Sequence, residues 1–137
     1  MYLIDTNVIS EARKGAKAHP GVIGFFRSTE AGDRYLAVQT IGEIWIGIEN
    51  IRRRGEEKQA LRLESWLEVV VSEYANRILN FDIDCAHVWG RLMSPQPSHP
   101  IDRQIAAIAL IHGLTVVTRN VSDFSSMGAK LLNPFEI

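Results

Sequence analysis

Short apolar runs alternate along this chain with stretches whose apolar residues recur every three or four positions. Tyr2, Leu3 and Ile4 make the first run, and Asp5, Thr6 and Asn7 stop it with three polar side chains, so Met1–Ile4 is predicted to be a buried strand. Val8–Lys14, ended by Gly15, and Gly21–Ser28, opened by His19 and Pro20, are predicted helices. Tyr35–Val38 is the second strand. Across Thr40–Arg54 the residues Ile41, Ile44, Trp45, Ile48 and Ile51 keep to one helix face, and Leu63, Trp66, Leu67, Val70 and Tyr74 repeat that spacing after a charged turn. Ile78–Phe81 is the third strand, and Cys85, Val88, Trp89 and Leu92 mark a helix ahead of the loop Ser94–Pro100. Ile101–His112 is apolar nearly all round, which predicts a deeply buried helix whose Ala106, Ala107 and Ala109 let it lie close against a sheet. Leu114–Val117 is the fourth strand and Lys130–Leu132 the fifth.

Strands separated by helical segments require right-handed crossovers and a parallel sheet covered on both faces. The expected fold is therefore α/β: a three-layer α/β/α domain with a central, mostly parallel sheet. No repeat, low-complexity tract or linker divides the 137 residues, so a single domain over 1–137 is expected. With 46% hydrophobic and 23% charged residues the composition is that of an ordinary soluble protein, and a net charge of -1 gives no bulk attraction to nucleic acid or membrane. The single cysteine, Cys85, excludes an intrachain disulfide and a cysteine-based zinc site, and reads as a small buried residue. The apolar run Ile105–Ile111 is too short to span a bilayer, and Asp5 interrupts any signal-peptide core. No membrane association is expected, and the cytoplasm is the expected compartment.

The candidate chemistry lies in four acids. In a parallel sheet ligands meet the carboxyl ends of the strands. Asp5 ends the first strand, Glu43 opens the helix after the second, Asp102 opens the buried helix, and Asp123 follows the fourth strand. Each has a structural explanation taken singly. Asp5 suits a helix cap, Glu43 completes a capping box with Thr40, Asp102 favours a helix dipole, and Asp123 suits a turn. Gathered at one edge, however, four carboxylates repel each other unless a cation is present. Oxygen donors of this kind suit Mg²⁺ or Mn²⁺, which bind substrate phosphates and activate water for attack on a phosphodiester. Thr6, Asn7, Thr118 and Asn120 are candidates to orient water or a phosphate oxygen, or equally to form turns. Arg103 and Arg119 are candidates for phosphate contact, or for compensating the acids. Arg52, Arg53, Arg54, Lys58 and Arg62 suit either RNA phosphates or a solvated helix end balanced by Glu56 and Glu57. The four histidines share no ligand spacing, and His99 reads as a surface-loop residue near the acids. The Trp45 and Trp66 faces read as core, with part of that surface available for a dimer contact.

Four blocks of the sequence, LIDTNV at Leu3–Val8, TIGEIWIGI at Thr40–Ile48, PIDRQIAAIAL at Pro100–Leu110 and LTVVTRNVSDF at Leu114–Phe124, resemble the signature blocks of PIN-domain ribonucleases. The resemblance runs nearly the whole chain and is nearest to the VapC-like toxins of bacterial type II toxin–antitoxin pairs. It implies that Asp5, Glu43, Asp102 and Asp123 are the metal-binding acids, although related sequences place the fourth acid where Asn120 stands. It also implies RNA cleavage with Mg²⁺ or Mn²⁺, a homodimer, and silencing by a cognate antitoxin whose C-terminal segment covers the active site. The expectation is a metal-dependent endoribonuclease acting as a toxin. One alternative is a Mg²⁺-dependent phosphatase with Asp5 as nucleophile, which ordinarily has a second Asp where Asn7 stands. The other is a non-catalytic RNA- or protein-binding module that keeps the acids as structure.

Overall fold

Leu3 and Ile4 are both fully buried, and they lie in different halves of the core. Successive residues of a strand face opposite sides of a sheet, so a first strand buried on both faces must be central. The computed structural model describes residues 1–136, and Ile137, the last residue of the expected domain, lies outside the described residues. Strands β1 (Tyr2–Ile4), β2 (Arg34–Ala37), β3 (Ile78–Leu79), β4 (Thr115–Val117) and β5 (Leu131–Leu132) form one sheet in the order β3-β2-β1-β4-β5. Every neighbouring pair is parallel, so the sheet expected to be mostly parallel is parallel throughout.

The helices are α1 (Thr6–Ala12), α2 (Pro20–Ser28), α3 (Val38–Arg53), α4 (Glu57–Glu73), α5 (Ile83–Met93), α6 (Pro100–His112) and α7 (Val121–Phe124). On one side of the sheet, Ile4, Leu36 and Val117 pack with Val8, Val22, Phe25, Ile44, Ile48, Leu67 and Val70 from α1 to α4. On the other, Leu3, Ala37 and Val116 pack with Cys85, Ile105, Ala106, Ile108, Ala109 and Phe124 from α5, α6 and α7. These are the two helical layers that the alternation of segments predicts. The chain steps outward from β1 to β3, then crosses back to β4 and β5. The direction of winding therefore reverses between β1 and β4, whose carboxyl ends flank the crevice where such sheets bind ligands.

Several boundaries differ from the sequence expectation, each for a local reason. Helix α1 starts at Thr6 because Asp5 caps it directly, and α3 starts at Val38 because β2 feeds straight into it at Ala37. Thr40 is consequently inside α3, fully buried and with its hydroxyl unpaired, so the expected capping box with Glu43 does not form. Strand β3 stops at Leu79, and Asp82 caps α5 by accepting from the Cys85 amide at 3.0 Å. In α6, Ile105 to Ala109 are fully buried, but Ile101, Leu110 and Ile111 are about two-fifths exposed, so the helix has an open side. It ends at Gly113, whose φ of 66° is left-handed and suits a residue without a β-carbon. Trp45 and Ile46 on α3 are 42% and 63% exposed, which corrects the reading of the Trp45 face as core, whereas Trp66 is partly buried.

Gly21 fixes α2 to the end of the chain. A β-carbon there would meet the Pro134 carbonyl oxygen at 1.9 Å, a backbone atom with little freedom to withdraw. Gly21→Ala is expected to destabilise the protein by about 1–3 kcal/mol, the usual range for overpacking. A clear drop in chemical-denaturation midpoint checks this, and a midpoint equal to the parent's would contradict it.

Candidate active site

Asp5 follows β1 at the carboxyl edge and is only 4% exposed. Its carboxylate is held from three directions. One oxygen accepts from the Thr6 amide at 2.9 Å, and the other accepts from the Thr118 hydroxyl at 2.8 Å and from the Asn7 side-chain amide at 3.3 Å. Burial pushes its pKa up, these bonds pull it back, and the negative charge of Asp123 pushes it up again. Asp5 is thus both a cap and a wall of the crevice.

Glu43 reaches the same place from the second turn of α3, where the Thr6 hydroxyl donates to its Oε1 at 2.6 Å. Its pKa is raised, first by burial and then by Asp5 against the Thr6 bond. Asp102 enters from the first turn of α6. Its carboxyl is pushed up to about 6, mainly by burial and then by the charges of Asp5, Glu43 and Asp123, with His99 acting in the opposite sense. Asp123 enters from α7, half-buried, in the first turn after β4. The fold therefore brings all four acids into one electrostatic neighbourhood, from segments far apart in sequence. The charge of Asp123 acts on both Asp5 and Asp102.

The polar neighbours divide into those that hold the acids and those that remain open. The Asn7 Oδ1 accepts from the Arg119 amide at 3.0 Å, and the Thr118 hydroxyl oxygen accepts from the Asn120 amide at 3.0 Å. These bonds clamp the start of α1 to the β4–α7 loop. Thr118 is fully buried, so it orients Asp5 and does not meet substrate, which corrects its assignment as a substrate contact. Arg103 is a second correction. It is 4% exposed, and its guanidinium donates to the Ser98 carbonyl at 2.7 Å, the Leu92 carbonyl at 2.8 Å and the Gln96 side chain at 3.4 Å. It braces the loop before α6 and is not available to a phosphate. Arg119 and Asn120 are exposed at the crevice, with the Arg119 guanidinium over the Phe135 ring at 4.6 Å. Arg52 pairs with Glu49, Glu57 and Glu64, so it ties α3 to α4.

The fold also brings in His99, which from the sequence alone reads as a surface-loop residue. His99 immediately precedes α6, its Nδ1 is 3.9 Å from an Asp102 oxygen, and its Nε2 is 4.0 Å from an Asp123 oxygen. The three-residue step from His99 to Asp102, across the first turn of a helix opened by Pro100, was the signal available in the sequence.

The shifts carry a sign for stability. Asp102 holds its proton to a higher pH in the folded chain than in the unfolded chain, where an ordinary carboxyl titrates near about 4. Between those values the folded state binds more protons, so stability falls as pH rises. The contribution is complete below about 4 and is lost as pH passes the folded value of about 6. The raised values of Asp5 and Glu43 act in the same direction. In EDTA the melting temperature is expected to fall from pH 5 to pH 7, and to fall less in Asp102→Asn. An unchanged slope in that variant would contradict the coupling. A donor set of four mutually repelling carboxylates fits a hard divalent cation, which removes the repulsion.

The PIN domain family model matches residues 2–130 of the chain. The plasmid stability protein StbB of Pseudomonas syringae pv. tomato is 34% identical over 142 aligned positions, covering 99% of each protein. Toxin FitB of Neisseria gonorrhoeae is 32% identical, covering 98% of this chain and 99% of its own length. VapC ribonuclease Y4jK of Sinorhizobium fredii is 31% identical, covering 99% of each. Among solved structures, that of FitAcB from Neisseria gonorrhoeae superposes with a TM-score of 0.88 at 31% identity, covering 100% of both chains.

Proposed function

The chain belongs to the PIN domain family, and from that premise we propose that it is a metal-dependent endoribonuclease acting as the toxin of a bacterial toxin–antitoxin pair. The observation that carries the reading is the convergence of Asp5, Glu43, Asp102 and Asp123 at the switch point of the sheet, where burial first, and then the charges of the other three acids, push the Asp102 carboxyl up to about 6. These four residues would hold the cation. Bound there, Mg²⁺ or Mn²⁺ supplies the positive charge that neutralises a phosphodiester and eases the ionisation of water. Thr6, Asn7 and Thr118 keep Glu43 and Asp5 fixed, so the site meets its substrate already arranged. Arg119 and Asn120, both exposed after β4, are the proposed contacts for an RNA phosphate. The phosphatase reading gains nothing from the fold, because Asn7, in the position of its second acid, is committed to Asp5, Thr118 and the Arg119 amide.

The partners follow from the same reading. A cognate antitoxin would silence the enzyme by covering the crevice, and the exposed Trp45 and Ile46 on α3 suit a contact with a second copy of the chain. No helix among the described residues is long and apolar enough to cross a membrane. The cytoplasm, where RNA is met, is the proposed compartment.

The reaction is tested with antitoxin-free protein. RNA cleavage is expected with Mg²⁺ or Mn²⁺ and not in EDTA, leaving 5′-phosphate and 3′-hydroxyl ends, as attack by water on phosphorus requires. Cyclic-phosphate ends that persist in EDTA would show attack by the ribose 2′-hydroxyl and overturn the mechanism.

A further inference from the structure

We propose that His99 is a nitrogen ligand of the cation held by the acids, so that His99, Asp102 and Asp123 form a mixed nitrogen–oxygen face that favours Mn²⁺ over Mg²⁺. The inference rests on the reading of the acid cluster as a cation site and adds to it a residue that the four acids do not require. One donor atom from each of His99, Asp102 and Asp123 lies within 4.8 Å of the others. Two ligands on one ion, each bonded at about 2.1 Å, stand at most about 4.2 Å apart. The closest approaches, Nδ1 to Asp102 at 3.9 Å and Nε2 to Asp123 at 4.0 Å, use different ring nitrogens, so a turn of the half-exposed ring and a closing of the two carboxylates are needed to seat one nitrogen and both acids on a single ion.

The imidazole is also uncommitted to the helix it precedes. His99 occupies the N-cap position of α6 but its side chain makes no capping bond, and half of it is exposed. Arg103 braces the loop that leads into His99 through the Ser98 and Leu92 carbonyls. Among the described residues His99 is the single non-glycine with a left-handed backbone, at φ 50°, which sets the direction in which the ring leaves the chain.

Donor chemistry gives the selectivity. Imidazole nitrogen binds first-row transition ions well, whereas Mg²⁺ prefers oxygen ligands and retains its waters. An all-carboxylate site would accept either ion on similar terms. A site with His99 in it should discriminate.

The test uses the full chain, free of antitoxin, and three variants of the measurement: parent, His99→Asn and Asp102→Asn. Asparagine tolerates a left-handed backbone, so His99→Asn removes the ring without forcing a new turn. Pulsed EPR of bound Mn²⁺ reads directly coordinated nitrogen, and calorimetric titration reads affinity for Mn²⁺ and for Mg²⁺. The expected result is a nitrogen coupling in the parent that is lost in His99→Asn. Mn²⁺ affinity should fall about tenfold or more in that variant, as loss of a ligand-sphere interaction does, with Mg²⁺ affinity held within about twofold. If Mn²⁺ binds, is weakened by Asp102→Asn, and shows no nitrogen coupling in the parent, the acid site stands and the role of His99 is overturned. A coupling that survives in His99→Asn overturns it equally. If the parent binds no Mn²⁺ at all, the cation site itself fails and this inference fails with it.

Discussion

Glu43→Gln is expected to lose RNA cleavage by at least about 100-fold, the upper end of what removing even an outer partner of a metal ligand costs, while the fold survives. The amide has the size and shape of the carboxylate it replaces. Its oxygen can still accept the Thr6 hydroxyl, which now donates to Glu43 at 2.6 Å. The charge is what disappears. Because Asp5 already repels Glu43 and raises its pKa, neutralising Glu43 relieves the metal-free protein. No capping box is lost, since Glu43 sits inside α3, whose N-cap is Ala37. Circular dichroism and melting in EDTA should therefore match or exceed the parent. Cleavage measured at fixed Mg²⁺ should collapse. Full activity in this variant would return Glu43 to a purely structural part.

What could be read from the sequence and what could not follow from how far each signal reaches. The apolar run Tyr2–Ile4 stopped by Asp5 is a local pattern, and it located β1 and the crevice together. The alternation of strand and helix segments likewise carried the layers, because burial on both faces of a parallel sheet writes itself as short continuous apolar runs. The start of α3 was misplaced because Thr40 and Glu43 have the spacing of a capping box, while the helix begins two residues earlier at the end of β2, at Val38. Buried packing of Thr40 overrides that local preference.

Arg103 shows a different limit. Beside Asp102 in sequence it looks like a charge meant for a phosphate, but its acceptors are carbonyls of Leu92 and Ser98, and only the folded loop presents them. Burial of an arginine is sustained by such bonds, and no spacing in the chain announces them. Thr118 was recognised as a polar residue of the site, yet its side is decided by the register of β4 against β1, which puts Val117 opposite Ile4 and Thr118 next to Asp5. His99 was passed over because a lone loop histidine carries no periodicity, and its partner Asp123 is supplied by α7, a helix too short to leave one.

The central claim is that the four carboxylates share one cation site, and melting curves with and without Mn²⁺ test it most directly. Without metal the acids repel: beside burial, which is the larger cause, the charges of Asp5, Glu43 and Asp123 help raise the Asp102 carboxyl to about 6. A neutral amide at one position should lessen that repulsion near pH 7. A cation that binds only the folded chain stabilises it by about 2.7 kcal/mol at a hundredfold excess over its dissociation constant. Losing one carboxylate should shrink that gain. Asp102→Asn is the cleaner variant, because no hydrogen bond to its carboxylate is seen among the described residues, and Asp5→Asn is the harder one, because three donors converge on Asp5. At pH 7 and fixed ionic strength, Asp102→Asn is predicted to melt at or above the parent in EDTA and to gain clearly less on addition of Mn²⁺. A variant that melts well below the parent in EDTA and responds to Mn²⁺ as fully as the parent would contradict the shared site.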